Sequence, residues 1–120
     1  IDVFNFYKNY TKKPWGSYLN LLKEPNFLVK KILIDADEEI SYQSHDYRDE
    51  HWILIEGSLE VINGSSIRVL KSNDYDFIKR GVKHRIKNIG SSTALMIEVQ
   101  FGEKIDENDI KRYDDKYGRS

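Results

Sequence analysis

A chain of 120 residues has room for one domain around one hydrophobic core. Its 39% apolar and 32% charged residues exclude a disordered composition, and 19 basic against 20 acidic residues (net charge −1) exclude a general electrostatic field for nucleic acid or an anionic membrane. The absence of cysteine excludes disulfides, thiolate nucleophiles and thiolate zinc sites, so any metal must be held by His, carboxylate or amide oxygen.

Residues 1–13 are aromatic and basic without a period, and read as a lead-in segment or linker, with Phe4, Phe6, Tyr7 and Tyr10 available to dock on a partner or on the domain itself. From Trp15 the texture changes to short apolar runs broken by turn residues. Trp15–Leu22 and Phe27–Ile34 are predicted strands around a turn containing Pro25. Glu39–His45 is a third, more polar strand, and His51–Glu56 is a strongly apolar fourth. Leu59–Ile62 and Ile67–Leu70 flank Asn63-Gly64, a dipeptide suited to a tight hairpin turn. Asp74–Ile78, His84–Asn88 and Thr93–Phe101 complete the strands, and Glu107–Tyr117 is expected to form a short helix or an ordered tail. Short strands with turns at this spacing predict an all-β sandwich or barrel over residues 14–120. No apolar run reaches the length of a membrane span and no signal-peptide pattern opens the chain, so a cytoplasmic protein is the default expectation. The first residue is Ile, which fits a trimmed protein or a domain of something longer.

The chemistry concentrates between residues 43 and 84, where all three histidines fall. Gln43 and His45 are two apart and share a face if that segment is extended. Glu50, Trp52 and Leu54 share a face of the next strand by the same alternation, which points His51 the other way. If those faces look into a barrel, Gln43, His45 and Glu50 converge there, and His84 on a later strand closes the set. Two imidazoles, one carboxylate and one amide oxygen suit Zn, Mn, Fe, Co or Ni without choosing among them, and leave coordination positions open for substrate. The same residues would also serve as hydrogen-bonded interior groups.

The pattern Q-x-H-x4-E-H-W from Gln43, followed by G-V-K-H-R-x-x-N from Gly81, resembles the two cupin motifs in the form used by type II mannose-6-phosphate isomerases. Pro14-Trp15-Gly16, Ile97-Glu98-Val99-Gln100-x-Gly102 and the tail from Glu107 to Arg119 are similar to further blocks of that family. The resemblance covers about residues 12–119 and implies a cupin, a double-stranded β-helix or jelly-roll barrel with a short lead-in and a helical tail. It implies one divalent metal on Gln43, His45, Glu50 and His84, a sugar-phosphate partner, and interconversion of mannose 6-phosphate and fructose 6-phosphate. In this family the domain occurs alone or behind a mannose-1-phosphate guanylyltransferase, and cupins commonly dimerise through strand edges.

That reaction moves a proton between C2 and C1 of the opened sugar. The candidates for the base are Glu98, Lys30, His51 and a metal-bound hydroxide, with His51 disfavoured by its expected direction. Phosphate requires cations, and Lys79, Arg80, Lys83, Arg85 and Lys87 surround His84. Arg48 and Arg85 match the motifs and suit a phosphate's geometry, whereas the lysines read as a solvated face. Arg112, Tyr117 and Arg119 either cover the pocket or pin the tail to the barrel. Asp46, Tyr47, Lys79, Ile89 and Lys104 depart from the family pattern near the expected pocket mouth. They leave room for a cupin that acts on or binds another sugar phosphate or nucleotide sugar, with or without catalysis.

Overall fold

Alternation of inward and outward side chains along each strand builds the molecule. The computed structural model describes residues 9–118; Phe4, Phe6, Tyr7 and Arg119 lie outside them. The described residues form strands β1 (Thr11–Lys13), β2 (Gly16–Glu24), β3 (Phe27–Ile34), β4 (Glu39–Ser44), β5 (Asp49–Glu56), β6 (Leu59–Asn63), β7 (Ser66–Leu70), β8 (Tyr75–Ile78), β9 (His84–Asn88), β10 (Ala94–Phe101) and β11 (Lys111–Asp114). One sheet has the order β1-β2-β3-β10-β5-β8 and the other β11-β4-β9-β6-β7. Every pairing is antiparallel. The all-β expectation holds, and the stretch expected as a lead-in already contributes β1 to the six-stranded sheet.

The register sorts the interior into an apolar end and a polar end. In the larger sheet Ile34 opposes Ala94, and Ile32, Met96 and Leu54 form the next inward row. The following row is Lys30, Glu98, Trp52 and Asp76, and the last is Leu28, Gln100, Glu50 and Ile78. The smaller sheet repeats the change: Ile40, Ile86 and Val61 give way to Arg112, Gln43, His84 and Asn63. The apolar rows join Trp15, Leu59 and Leu70 in one buried cluster. This core stabilises the barrel so that its other end can hold charge.

Two details differ from the sequence expectation. The tail forms no helix; Glu107–Asp109 turns, and Lys111–Asp114 adds β11 to the edge of β4, with Arg112 opposite Gln43. An isolated charged segment has no means of registering that an unpaired strand edge awaits it, and here tertiary pairing decides over local preference. The hairpin turn is Gly64-Ser65, one residue later than expected, with Gly64 at φ +60° and Asn63 paired with Ser66 inside the ladder. Asn63 is thereby free to donate from its side chain to the Phe77 carbonyl (2.9 Å).

One glycine shapes the site directly. A Cβ on Gly102 would lie 2.1 Å from the Tyr47 carbonyl oxygen, so only glycine lets the segment after β10 pass beneath the loop carrying His45 and Arg48.

Candidate metal centre

His45 follows β4, Glu50 opens β5 and His84 opens β9, so three strands deliver their side chains to the polar end of the barrel. All three are at most 2% exposed. One donor atom from each lies within 4.8 Å of the others, with His45 Nε2 3.2 Å and His84 Nε2 3.7 Å from Glu50 oxygens. Donors each about 2.0–2.2 Å from a shared ion stand roughly 3–4 Å apart, so these separations match a common centre.

The second ring nitrogens settle which imidazole atoms face inward. His45 Nδ1 donates to the Asp109 carbonyl at 2.6 Å and His84 Nδ1 to the Val82 carbonyl at 2.9 Å. Each Nε2 therefore carries the lone pair, the arrangement in which metal-binding histidines are held by their surroundings. His84 Nε2 is buried and has no hydrogen-bond partner in the structure. A buried acceptor left that way is costly, and a cation would satisfy it. Burial, then Arg48, lowers the His45 pKa to about 4, and burial lowers that of His84. Both rings are neutral near pH 7, the form a metal requires. These residues fit a divalent cation. Gln43 lies beside them, its Nε2 3.4 Å from His45 Nε2 and its Oε1 accepting from the Ser41 hydroxyl at 2.9 Å. A half-turn of the amide exchanges the two ends and presents an oxygen to the centre.

Charge surrounds this group on every side. Arg48, 6% exposed, donates from Nε to Glu50 Oε2 at 2.9 Å, from Nη2 to His45 Nε2 at 3.2 Å and from Nη1 to the Asp106 carbonyl at 3.3 Å. Burial opposes its charge, but Glu50 and then Glu98 outweigh burial and raise its pKa. The Trp52 indole N–H bridges Glu50 and Glu98 at 3.3 and 3.2 Å. Glu98 is 6% exposed; desolvation first, and the Glu50 charge second, push its pKa up to about 7. Lys30 Nζ sits 4.1 Å above the Tyr18 ring and pairs with Glu107 at 2.7 Å.

Together these groups line a cavity of about 310 Å³. It collects Lys30, Gln43, His45, Arg48, Glu50, His84, Arg85, Glu98 and Arg112, nearly the whole set expected from sequence. Arg85 is partly exposed at the wall, 3.9 Å from Glu39. Tyr117 is not among the lining residues: its hydroxyl bonds Glu38, so it anchors the tail and does not reach the pocket. His51 points out of the barrel and bonds the Tyr75 hydroxyl at 2.6 Å. Sequence reasoning missed Asp109, whose carbonyl orients His45 while its carboxylate accepts the Asp46 and Tyr47 amides at 2.8 and 3.0 Å. It also missed Glu107 and Asp106, because a helical tail would not have folded them onto the site. The signal was the family-like tail block itself, which contains Glu107 and Asp109.

Comparison with known proteins agrees with this geometry. Residues 5–115 match the family model described as mannose-6-phosphate isomerase, C-terminal. The chain is 40% identical over 108 residues to the xanthan biosynthesis protein XanB of Xanthomonas campestris, covering 90% of this chain and 23% of that protein. A mannose-1-phosphate guanylyltransferase of Salmonella montevideo is 37% identical over 108 residues, with 90% and 23% covered. The chain thus spans under a quarter of the length of these relatives. A solved protein with a double-stranded β-helix domain from Klebsiella pneumoniae superposes with a TM-score of 0.72 at 18% identity, covering 96% of this chain and 99% of that one. Fold, motifs and relatives converge: the chain is a cupin that belongs to the mannose-6-phosphate isomerase C-terminal family.

Proposed function

We propose that this chain is a metal-dependent aldose–ketose isomerase interconverting mannose 6-phosphate and fructose 6-phosphate. The observation that carries the reading is the juxtaposition, in one cavity, of the His45–Glu50–His84 cluster, a buried carboxyl at Glu98 and the cations Lys30, Arg48, Arg85 and Arg112.

His45, Glu50 and His84, with Gln43 as a fourth ligand, would hold one divalent ion, of the group Zn, Mn, Co, Ni or Fe. Such an ion acts as a Lewis acid toward neighbouring sugar oxygens. The chain's own residues supply the remainder. Glu98, with a pKa of about 7, is divided between acid and base near neutral pH, as a group that removes a proton from one carbon and returns it to the next should be. Trp52 and Gln100 hold its two oxygens, at 3.2 and 3.4 Å, so the carboxyl is oriented before substrate arrives. Arg85 and Arg112 flank the cavity and suit a phosphate dianion, Arg85 through its planar two-donor fork. Lys30, held between Tyr18 and Glu107, places a fixed positive charge beside Glu98, opposite it in the strand register.

The test is a coupled assay of mannose 6-phosphate to fructose 6-phosphate on metal-stripped protein, with each of the five metals added back. Turnover restored by a metal and lost in Glu98→Gln supports the reading. Metal uptake with no turnover on any metal would refute the isomerase assignment and leave a sugar-phosphate-binding cupin.

A further inference from the structure

Two buried acceptor atoms of cavity-lining residues have no hydrogen-bond partner among the described residues: His84 Nε2 and Gln100 Oε1. The first faces the candidate ion site. The second belongs to a side chain that is 1% exposed and lies on β10, between Leu28 of β3 and Glu50 of β5. A buried carbonyl oxygen without a donor costs free energy that the same amide at the surface would not. Because β10 is paired on both sides, the backbone fixes where this amide stands.

Its neighbour fixes which end points where. Gln100 and Glu98 share the inner face of β10, and Gln100 Nε2 donates to Glu98 Oε2 at 3.4 Å while the Trp52 indole N–H takes Oε1. Ionised Glu98 has only acceptors, so the NH2 end of the amide must face it. A half-turn would set oxygen against oxygen. Gln100 Oε1 is thereby committed as an acceptor in a different direction, and a donor is what it lacks.

We propose that Gln100 is a specificity-determining residue whose side-chain carbonyl accepts a hydrogen bond from the sugar's C3 hydroxyl, an inference that rests on the isomerase reading. The oxygens on C1 and C2 alternate between carbonyl and hydroxyl as the reaction proceeds, so neither donates throughout. The C3 hydroxyl is a donor from start to finish, on the carbon adjacent to the reacting pair. One amide then serves two partners: its NH2 orients the carboxyl of Glu98, and its oxygen orients the sugar beside that carboxyl. A sugar without the hydroxyl leaves the amide buried and unpaired, which is how such a site rejects it.

The test compares mannose 6-phosphate with its 3-deoxy and 3-deoxy-3-fluoro analogues on the 120-residue chain, loaded with whichever metal supports turnover. In the parent, kcat/KM should fall at least about tenfold for both analogues, because fluorine accepts but cannot donate. Gln100→Met, similar in size, should be slower on mannose 6-phosphate and should bring the 3-deoxy sugar to within about threefold of it. A variant that slows all three sugars equally, keeping the parent's ratios, has lost a structural support only and overturns the proposal. So does a fluoro analogue that reacts as well as mannose 6-phosphate, a result the parent alone supplies should the variant misfold. If the parent turns over on no metal, the isomerase reading fails, and the same ratios are read as dissociation constants by calorimetry on zinc-loaded protein. Discrimination in the parent that collapses in Gln100→Met then keeps the contact; equal affinities, or no binding, overturn it.

Discussion

Replacing Glu50 with Gln separates the structural from the proposed metal-binding duties of the site. Glu50 touches Arg48, both histidines and Trp52 while being 2% exposed. The substitution keeps shape and removes the charge facing a guanidinium that is itself 6% exposed. Removing one partner of a buried ion pair costs about 3–5 kcal/mol. Two features reduce that here. Glu98 also acts on Arg48, and the loss of Glu50 relieves the repulsion that raises Glu98. Each unit by which Glu98 falls returns about 1.4 kcal/mol. A net loss of roughly 2 kcal/mol follows for metal-free protein, measured by urea unfolding in EDTA at pH 7.5. With zinc at 100 times its dissociation constant, the parent chain should gain about 2.7 kcal/mol. The Gln variant should gain almost nothing. A variant within about 0.5 kcal/mol of the parent in EDTA, or one stabilised equally by zinc, would refute both the burial argument and the ligand assignment.

Acid dependence offers a second check. Lowered from 6.5 to about 4, His45 contributes stability that is complete above pH 6.5 and lost as pH falls toward 4; Glu98, raised from 4.5 to about 7, acts oppositely as pH falls from 7 to 4.5. The two offset each other in metal-free protein, so Glu98→Gln should make stability fall by an additional 2–3 kcal/mol (about 1.4 per unit) between pH 6.5 and 4.5, read by denaturant titration at each pH. Asp109→Ala removes the acceptor for the Asp46 and Tyr47 amides and loosens the carbonyl that orients His45. Metal affinity by calorimetry should drop about 10–100-fold with the core intact. Gly102→Ala forces the chain off the Tyr47 carbonyl, with thermal unfolding expected to show a loss of about 2 kcal/mol or more.

Much of the fold was legible because alternation is a strong signal where a strand has one buried face. Phe27–Ile34 and His84–Asn88 form strands with the bounds read from sequence. Glu50, Trp52 and Leu54 point inward together, as their spacing requires. Local reading failed where a distant edge or a backbone atom acts. Lys111–Asp114 is a strand only because β4 lies beside it, and Asp109 serves His45 through a carbonyl that every residue possesses. The Asn63-Gly64 dipeptide signalled a turn without showing that the Asn63 side chain was needed at Phe77. For Tyr117 the sequence leaves two roles open, covering the pocket or pinning the tail, and its bond to Glu38 takes the second.

The path from Glu107 through β11 ties two equilibria together. Docking of the tail supplies the acceptor for His45, the partner for Lys30 and the strand beside Gln43. Whatever favours the ordered tail must favour the ion, and by thermodynamic reciprocity the ion must favour the ordered tail to the same degree. Protease nicking within residues 103–118 therefore becomes a gauge of site occupancy, slowing as metal is added. A sequence appended to that end which pulls on the strand would be felt, in the opposite sense, at the histidines.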